Sequence, residues 1–180
     1  MVNKLVIEDL PHYSYDDYKL WEGDWELIRG IPYAMAPAAS WWHQDFGGAF
    51  VENFRQAIRK EELACDCKVL YECDWVVNND TVVRPDVMIV CDKIEGNYPT
   101  KPPVLILEIL SPQSILKDRN TKFNLYQSYG VKYYLLANVK RRQVEVFILN
   151  GNRYEQATNV ASFSLANNCA IHVDLQVLFS

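Results

Sequence analysis

The sequence predicts an α/β (α+β) fold in which helices flank a mixed β-sheet. Apolar side chains recur at helical spacing over residues 41–63, and a second helical pattern covers residues 114–129. Short apolar runs bounded by turn residues lie between the two helices, and another follows at residues 132–138. The order is therefore helix, strand, strand, strand, helix, strand. A helical crossover to the fourth strand makes the sheet a mixed one.

The length of 180 residues indicates a single domain, large enough to bury a sizeable core. We assign residues 1–40 to an N-terminal helix and hairpin, 41–138 to the core and 139–180 to a C-terminal hairpin extension. Apolar residues make up 49% of the chain and charged residues 23%, as in ordinary soluble globular proteins. No apolar run approaches the roughly 18 residues that a membrane span needs, so we expect no membrane partner.

The charge pattern indicates only weakly whether the protein binds nucleic acid. The net charge of −5 argues against binding nucleic acid through bulk charge, although it allows a local basic patch. Two clusters could form one: the Lys-Arg-Arg run at residues 140–142, and the set Arg55, Arg59 and Lys60. Taken singly, each cluster is better explained as a solvated turn or a solvated helix face.

The five cysteines are Cys65, Cys67, Cys73, Cys91 and Cys169. Their number is odd, and no signal-peptide pattern precedes them, so we expect reduced thiols in a cytoplasmic protein. A zinc site built from the first three is the alternative. It is weakly supported, because their spacing is not a paired CxxC and no histidine lies nearby.

Local signals set the boundaries of the N-terminal elements. Ser14 and Asp17 have the spacing of a capping box, which predicts a short helix that runs to Glu22 and ends at Gly23. Residues 25–28 and 31–35 follow as two strands, and Pro32 places the second at a sheet edge.

Further signals delimit the long helix and the strands after it. Ser40 is a candidate N-cap for the long helix. A strand over residues 68–77 and a return strand over residues 82–91 form a hairpin. Pro85 makes the pairing of the return strand irregular.

Glu108 is the most unusual residue in the sequence. It interrupts the apolar run 105–110, and a carboxylate in a buried strand costs several kcal/mol unless it is paired or bound to a cation. Asp86 follows Pro85 at the start of another apolar run, where capping a turn is the simpler role. If the two strands are neighbours, the carboxylates converge, and a hard divalent ion, Mg²⁺ (or Mn²⁺), would neutralise them. The backbone carbonyl of Ile109 would add a third ligand.

Lys122 lies on the helix that follows this strand. It shares one face with Asp118 and Tyr126 at i, i+4 spacing. Spacing alone favours an exposed Asp118–Lys122 pair of small energetic weight. If the face turns toward the sheet instead, Lys122 would orient an attacking water or stabilise a phosphate transition state.

Several segments together resemble the PD-(D/E)XK nuclease superfamily and, more closely, the bacterial Uma family of restriction-endonuclease-like proteins. The resemblance covers most of the chain. The segments that carry it are Trp25-Glu26-Leu27-Ile28-Arg29-Gly30, His43, Arg84-Pro85-Asp86-Val87, Leu107-Glu108-Ile109-Leu110-Ser111-Pro112, the spacing Asp118…Lys122…Tyr126, and Gly130-Val131-Lys132-Tyr133-Tyr134.

This resemblance implies a restriction-endonuclease-like core and a Mg²⁺-dependent endonuclease acting on DNA. Asp86, Glu108 and Lys122 would be catalytic, and Asp86, Glu108 and the carbonyl of Ile109 would hold the metal. The chain departs from the superfamily pattern two residues after Glu108, where Leu110 replaces the usual lysine. In the Uma family this lysine is on the following helix, which corresponds to Lys122.

Three questions stay open from the sequence alone. The leucine and the acidic net charge favour an alternative, a catalytically inactive nuclease-like module that binds nucleic acid or protein. A homodimer would let two single-strand cuts fall on one duplex, but no segment identifies an interface. Glu26 and His43 could support the site, although single residues of these types are more often structural.

Overall fold

The computed structural model describes residues 11–35, 39–61, 65–166 and 168–179. The helices are α1 (Tyr15–Tyr18), α2 (Trp41–Lys60), a π-helical segment (Lys117–Lys122) and α3 (Phe123–Ser128), with 3-10 turns at Val139–Arg141 and Leu175–Phe179. The strands are β1 (Trp25–Ile28), β2 (Ile31–Ala34), β3 (Lys68–Tyr71), β4 (Trp75–Asn78), β5 (Thr81–Val83), β6 (Val87–Val90), β7 (Leu105–Ile109), β8 (Tyr133–Asn138), β9 (Gln143–Asn150), β10 (Arg153–Ala157), β11 (Ser162–Ala166) and β12 (Cys169–His172).

The central sheet is mixed, as the sequence predicts. Its six strands lie in the order β10-β9-β8-β7-β6-β3. Strands β7 and β8 are parallel and joined through the π-helical segment and α3, whereas the other neighbours are antiparallel. A four-stranded sheet in the order β2-β1-β5-β4 and the β11-β12 ribbon complete the strands. Pro32 lies in β2, an edge strand of the smaller sheet. An edge strand tolerates proline, because the N–H that proline lacks is not needed to pair with a further strand.

The prediction of single strands over residues 68–77 and 82–91 is wrong. Each run is divided between two sheets, since β3 and β6 belong to the central sheet and β4 and β5 to the smaller one. The second run divides at Arg84-Pro85-Asp86, where proline cannot continue a ladder. Val87 is level with Leu107 in the β6–β7 register, so Asp86 comes level with Glu108. The crossover between sheets thus places Asp86 beside the buried acid.

Apolar side chains bury both faces of the central sheet. Leu105, Leu107 and Ile109 belong to one cluster, with α2 and the β11-β12 ribbon. Ile106 and Leu110 belong to the other, with α3 and the smaller sheet. A strand alternates its side chains between faces, so Glu108 points to the side of α3 and the smaller sheet. Coverage on both faces explains why β7 reads as a continuous apolar run.

Most local signals agree with the structure. Ser14 and Asp17 form the predicted capping box, although α1 ends at Tyr18. Ser40 occupies the N-cap position of α2, but its side chain makes no capping hydrogen bond. Gly47 allows close packing, because a Cβ there would lie 2.7 Å from the Tyr71 ring. The predicted C-terminal end of the long helix falls at residues 62–64, outside the described residues.

The prediction of reduced cysteines is wrong. Disulfides join Cys65 to Cys169 and Cys67 to Cys91, and Cys73 is free. The zinc site of Cys65, Cys67 and Cys73 is wrong for the same reason, because two of its three sulfurs are already bonded elsewhere. The pairs form because β3, β6 and β12 bring the cysteines' Cα atoms within 5.0 and 4.0 Å.

The helices can be compared with a membrane span in length and hydropathy. Within the described ranges, no helix combines the length and apolar character needed to cross a bilayer.

Candidate active site

A cleft of about 780 Å³ lies at the C-terminal end of β7. Glu108, Ile109 and Ser111 line its floor, and residues from the first turn of α2 and from the π-helical segment line its walls. The cleft therefore forms where three parts of the chain that are distant in sequence meet.

Glu108 is buried, and one of its two carboxylate oxygens accepts two hydrogen bonds. Its side chain is 4% exposed, and its Oε1 atom accepts hydrogen bonds from Lys122 Nζ at 2.9 Å and from the Tyr126 hydroxyl at 2.7 Å. Both donors come from the helical crossover between β7 and β8. The face that carries Asp118, Lys122 and Tyr126 thus turns toward the sheet, and the expectation of an exposed Asp118–Lys122 pair is wrong.

Glu26 is a second buried acid, completely enclosed in β1. Its Oε1 atom lies 2.8 Å from Lys122 Nζ and accepts the backbone N–H of Arg84 at 3.0 Å. Its Oε2 atom accepts a bond from Lys117 Nζ at 2.5 Å. Burial opposes ionisation of this carboxyl, but the two lysines outweigh burial and lower its pKa.

Asp86 is held at the mouth of the cleft. Its Oδ2 atom accepts the backbone N–H of Ile109 at 2.6 Å, which ties it to the residue after Glu108. The Nε2 atom of His43 lies 3.2 Å from the same oxygen and, within the described chain, makes no aligned hydrogen bond. Burial lowers the pKa of His43, so its ring is neutral near pH 7.

Asp118 completes the group of buried acids. It is 1% exposed, and neither carboxylate oxygen makes a hydrogen bond of ordinary geometry with any described residue. Lys122, its expected partner, instead bridges Glu26 and Glu108. A buried polar group without a partner is costly, and Asp118 also lines the cleft.

The π-helical segment explains how two lysines reach one acid. In an α-helix, residues five apart do not share a face, whereas π-helical hydrogen bonding runs from i to i+5. Lys117 and Lys122 are five residues apart, and each contacts one oxygen of Glu26. Their exposure differs, since the Lys122 side chain is 4% exposed and that of Lys117 is 21% exposed. Lys117 is therefore the lysine that solvent can reach from the cleft.

The charges of this cluster do not balance. The buried or partly buried acids are Glu26, Asp86, Glu108 and Asp118, and they face Lys117 and Lys122. The cleft lining also holds the exposed Glu72 and the cation Arg84, which is already paired with Asp24 and Asp74. Burial raises the pKa of Asp86 to about 7 and raises the pKa of Glu108 and of Asp118, and mutual repulsion among the acids acts in the same direction. Burial disfavours the charged form of Lys122, but Glu108 and Glu26 outweigh it and raise its pKa. Two ammonium groups leave an excess of two negative charges when all four acids are ionised.

Comparison with known proteins identifies the family. A family model described as "Uma2: Putative restriction endonuclease" matches residues 15–174. The chain belongs to the Uma2 family.

A solved structure supports the same fold. The crystal structure of a putative nuclease of DUF820 from Anabaena variabilis superposes with a TM-score of 0.72, covering 92% of this chain and 97% of that chain at 16% identity. At this identity the likeness concerns the fold alone. No curated protein matches the sequence.

The structure brings together the site residues that the sequence predicts for this Uma2 protein. Asp86, Glu108, Ile109 and Lys122 all line the cleft. Among the described residues, no three His, Cys, Asp or Glu side chains form a ready-made metal cage. The donor set nevertheless fits Mg²⁺, which takes one or two carboxylates from the protein and retains several waters.

Sequence reasoning named Glu26 only as a possible supporting residue and missed Lys117. Glu26 carries the same signal as Glu108, an acid inside an apolar strand, and the same rule would have made it a site candidate. Lys117 has no such signal. Its position depends on the π-helical segment, which residue spacing does not indicate.

Proposed function

We propose that this Uma2 protein is a Mg²⁺-dependent (or Mn²⁺-dependent) endonuclease that hydrolyses DNA phosphodiester bonds. The observation that carries the proposal is the convergence of Asp86 and Glu108. The two acids are level across the β6–β7 pair, and Asp86 is bonded to the N–H of Ile109 in a polar cleft. Asp86, Glu108 and the Ile109 carbonyl are the proposed ligands.

Electrostatics support a divalent ion in this position. Four buried or partly buried acids face two lysines, and a 2+ charge would neutralise the excess without protonating a carboxyl. A bound Mg²⁺ supplies a water of lowered pKa and stabilises charge on the phosphate. The protein's own contribution is to fix one acid within β7 and the other directly before β6. Asp86 is held by a backbone N–H, and Glu108 by Lys122 and Tyr126.

The two lysines have different proposed roles. Lys122 is bonded to both Glu26 and Glu108, so it positions Glu108 and opposes the rise in the Glu108 pKa that burial causes. The catalytic role predicted for Lys122 is thus proposed as a positioning role, exerted through the metal ligand Glu108. Lys117 has one carboxylate partner and is partly exposed to the cleft, so it is the lysine placed to contact a substrate phosphate.

A second candidate function is a catalytically inactive module that binds nucleic acid or protein. Two observations favour it: Leu110 stands where the superfamily has lysine, and Lys122 is already paired on both sides. In that case Lys122 only stabilises the fold, and DNA binding is independent of metal.

Calorimetric titration with Mg²⁺ and with Mn²⁺ tests the proposal, on the wild type, Asp86→Asn and Glu108→Gln. Asp92→Asn is the matched control, since this half-exposed acid pairs with Lys101 away from the cleft. We expect binding in the wild type and the control but in neither site variant, and cleavage of plasmid DNA should follow the same pattern. Full cleavage by a rigorously purified Glu108→Gln protein would exclude the proposed site. Metal-independent DNA binding without cleavage would favour the inactive module.

A further inference from the structure

We propose that a rim beside the cleft binds an unpaired strand of nucleic acid, with the ring of Trp41 as its base-stacking platform. This basic rim consists of Trp41, Trp42 and the turn at residues 140–142. The inference rests on the proposed nuclease function and specifies its substrate as DNA with a single-stranded stretch.

Trp41 has the exposure expected of a stacking platform. It is 80% exposed in the first turn of α2, although indole is one of the largest apolar side chains. Its chain neighbours Ser40, Trp42 and His43 all line the cleft. The exposed ring therefore sits on the segment that forms the cleft wall, next to the histidine that reaches Asp86.

The basic turn is fixed against the same end of α2. Lys140 Nζ lies 5.7 Å from the centre of the Trp42 ring, a cation–π contact. The guanidinium of Arg142 lies 5.9 Å from the Phe179 ring, which packs at 4.9 Å on Phe46 of α2. This turn directly follows β8, the parallel neighbour of β7, so it lies at the strand ends that carry the cleft.

The three cations of the turn are available to a ligand. Lys140, Arg141 and Arg142 are exposed, and none forms an ion pair with another described residue. Asn138 accepts the backbone N–H of Arg141, so this contact supports the turn and leaves the guanidinium of Arg141 unused. Proteins bind single-stranded nucleic acid by combining cations along the phosphate backbone with aromatic rings on which the bases stack.

Base stacking distinguishes an unpaired strand from a duplex. In a duplex the faces of internal bases are covered by their neighbours, so only the phosphates reach the rim. An unpaired base can lie flat on Trp41 while its phosphates meet Lys140 and Arg141. A second protein chain covering Trp41 would be the competing occupant. A strand with a charge on every phosphate offers the three exposed cations a denser row of anions than a copy of this protein, whose net charge is −5 over 180 residues.

Fluorescence anisotropy with a labelled oligothymidine of about 15 nucleotides, in EDTA to prevent cleavage, tests the rim. We expect Trp41→Ala to weaken binding about 5- to 150-fold and Trp41→Phe to retain most of the affinity. Leu20→Ala is the matched control, because Leu20 is 82% exposed and lies away from the cleft. Lys140→Ala with Arg141→Ala should lower the slope of log K against log salt by about 1.4, or about 0.7 per phosphate contact.

Each result decides the question. Three results would each overturn the inference. They are oligothymidine binding that is unchanged in Trp41→Ala, no oligothymidine binding by the wild type, and a loss of affinity of Trp41→Ala for a blunt duplex that equals its loss for oligothymidine. A change of oligomeric state in Trp41→Ala, without a change in nucleic-acid binding, would assign the ring to a dimer interface. Cleavage of a duplex that carries a single-stranded stretch separates this inference from the proposed function. If Glu108→Gln abolishes this cleavage and Trp41→Ala leaves it unaffected, the nuclease function stands and only the stacking platform is rejected.

Discussion

Lys122 Nζ lies 2.9 Å from Oε1 of Glu108, and each of the two side chains is only 4% exposed. The same ammonium is 2.8 Å from Glu26, so one cation serves two buried acids. A buried pair adds little net stability in itself, because desolvation offsets the attraction, but removing one partner leaves an uncompensated charge. The loss of one partner should therefore cost more stability than the intact pair contributes.

Lys122→Ala should destabilise the protein by about 3–5 kcal/mol, because Glu108 and Glu26 both lose the cation between them. Urea unfolding measures the free energy. Lys101→Ala is the control, since Lys101 is 63% exposed in its pair with Asp92 and should contribute at most about 1 kcal/mol. Equal unfolding free energies for the two variants would contradict the bridging role of Lys122.

Lys117→Ala should affect activity more than stability. Lys122 still neutralises Glu26 in this variant, so the cost in unfolding free energy should be well below that of Lys122→Ala. If Lys117 contacts a phosphate, its removal should reduce the slope of log K against log salt for duplex DNA by about 1. Lys93→Ala, at an 86% exposed side chain, should leave both quantities unchanged. A Lys117→Ala protein with wild-type cleavage and an unchanged salt slope would remove Lys117 from the site.

The sequence could predict the parts of the site that follow from local chemistry. Glu108 in an apolar strand demanded a partner, and Asp86 after Pro85 marked an irregular strand end. The partners depended on tertiary structure. The π-helical segment changes which residues share a face, so spacing at i+4 gave the wrong partner for Asp118 and missed Lys117.

Strand assignment failed for a similar reason. A propensity pattern does not record which sheet a strand joins, so the runs around Cys73 and Pro85 read as single strands while each divides between two sheets. The cysteine pairs also depend on long-range proximity. Cys65 and Cys169 are 104 residues apart in sequence, and only the docking of β12 brings them together.

Reduction of the disulfides should lower the unfolding free energy. Each crosslink restricts the unfolded chain, and bridges of this kind typically contribute about 2–4 kcal/mol. We expect a dithiol reductant to shift the urea midpoint of the wild type and of Cys73→Ser equally, since Cys73 is free. Cys169→Ser should reproduce part of the shift without reductant. Alkylation of the unreduced, unfolded wild type should count one thiol, and a count of five would show that neither bridge forms.

Glu26→Gln should change how stability depends on pH. The two lysines lower the pKa of Glu26 in the folded protein from its usual 4.5, so the unfolded state binds its proton first as the pH falls. The stabilisation by ionised Glu26 is therefore fully present above about pH 4.5 and is lost as the pH falls through the lower, folded pKa.

Urea unfolding of the wild type and Glu26→Gln between pH 7 and pH 3 measures this effect. The variant should be the less stable protein at pH 7, by about 3–5 kcal/mol, because Lys117 and Lys122 lose a buried partner. The difference in unfolding free energy should narrow below pH 4.5, because the Glu26 carboxyl of the unfolded wild type then begins to take up its proton. Glu95→Gln, at an exposed acid, should follow the wild-type curve throughout. A difference that stays constant from pH 7 to pH 3 would mean that Glu26 has the same pKa in the folded and unfolded protein, so that the two lysines do not stabilise its ionised form.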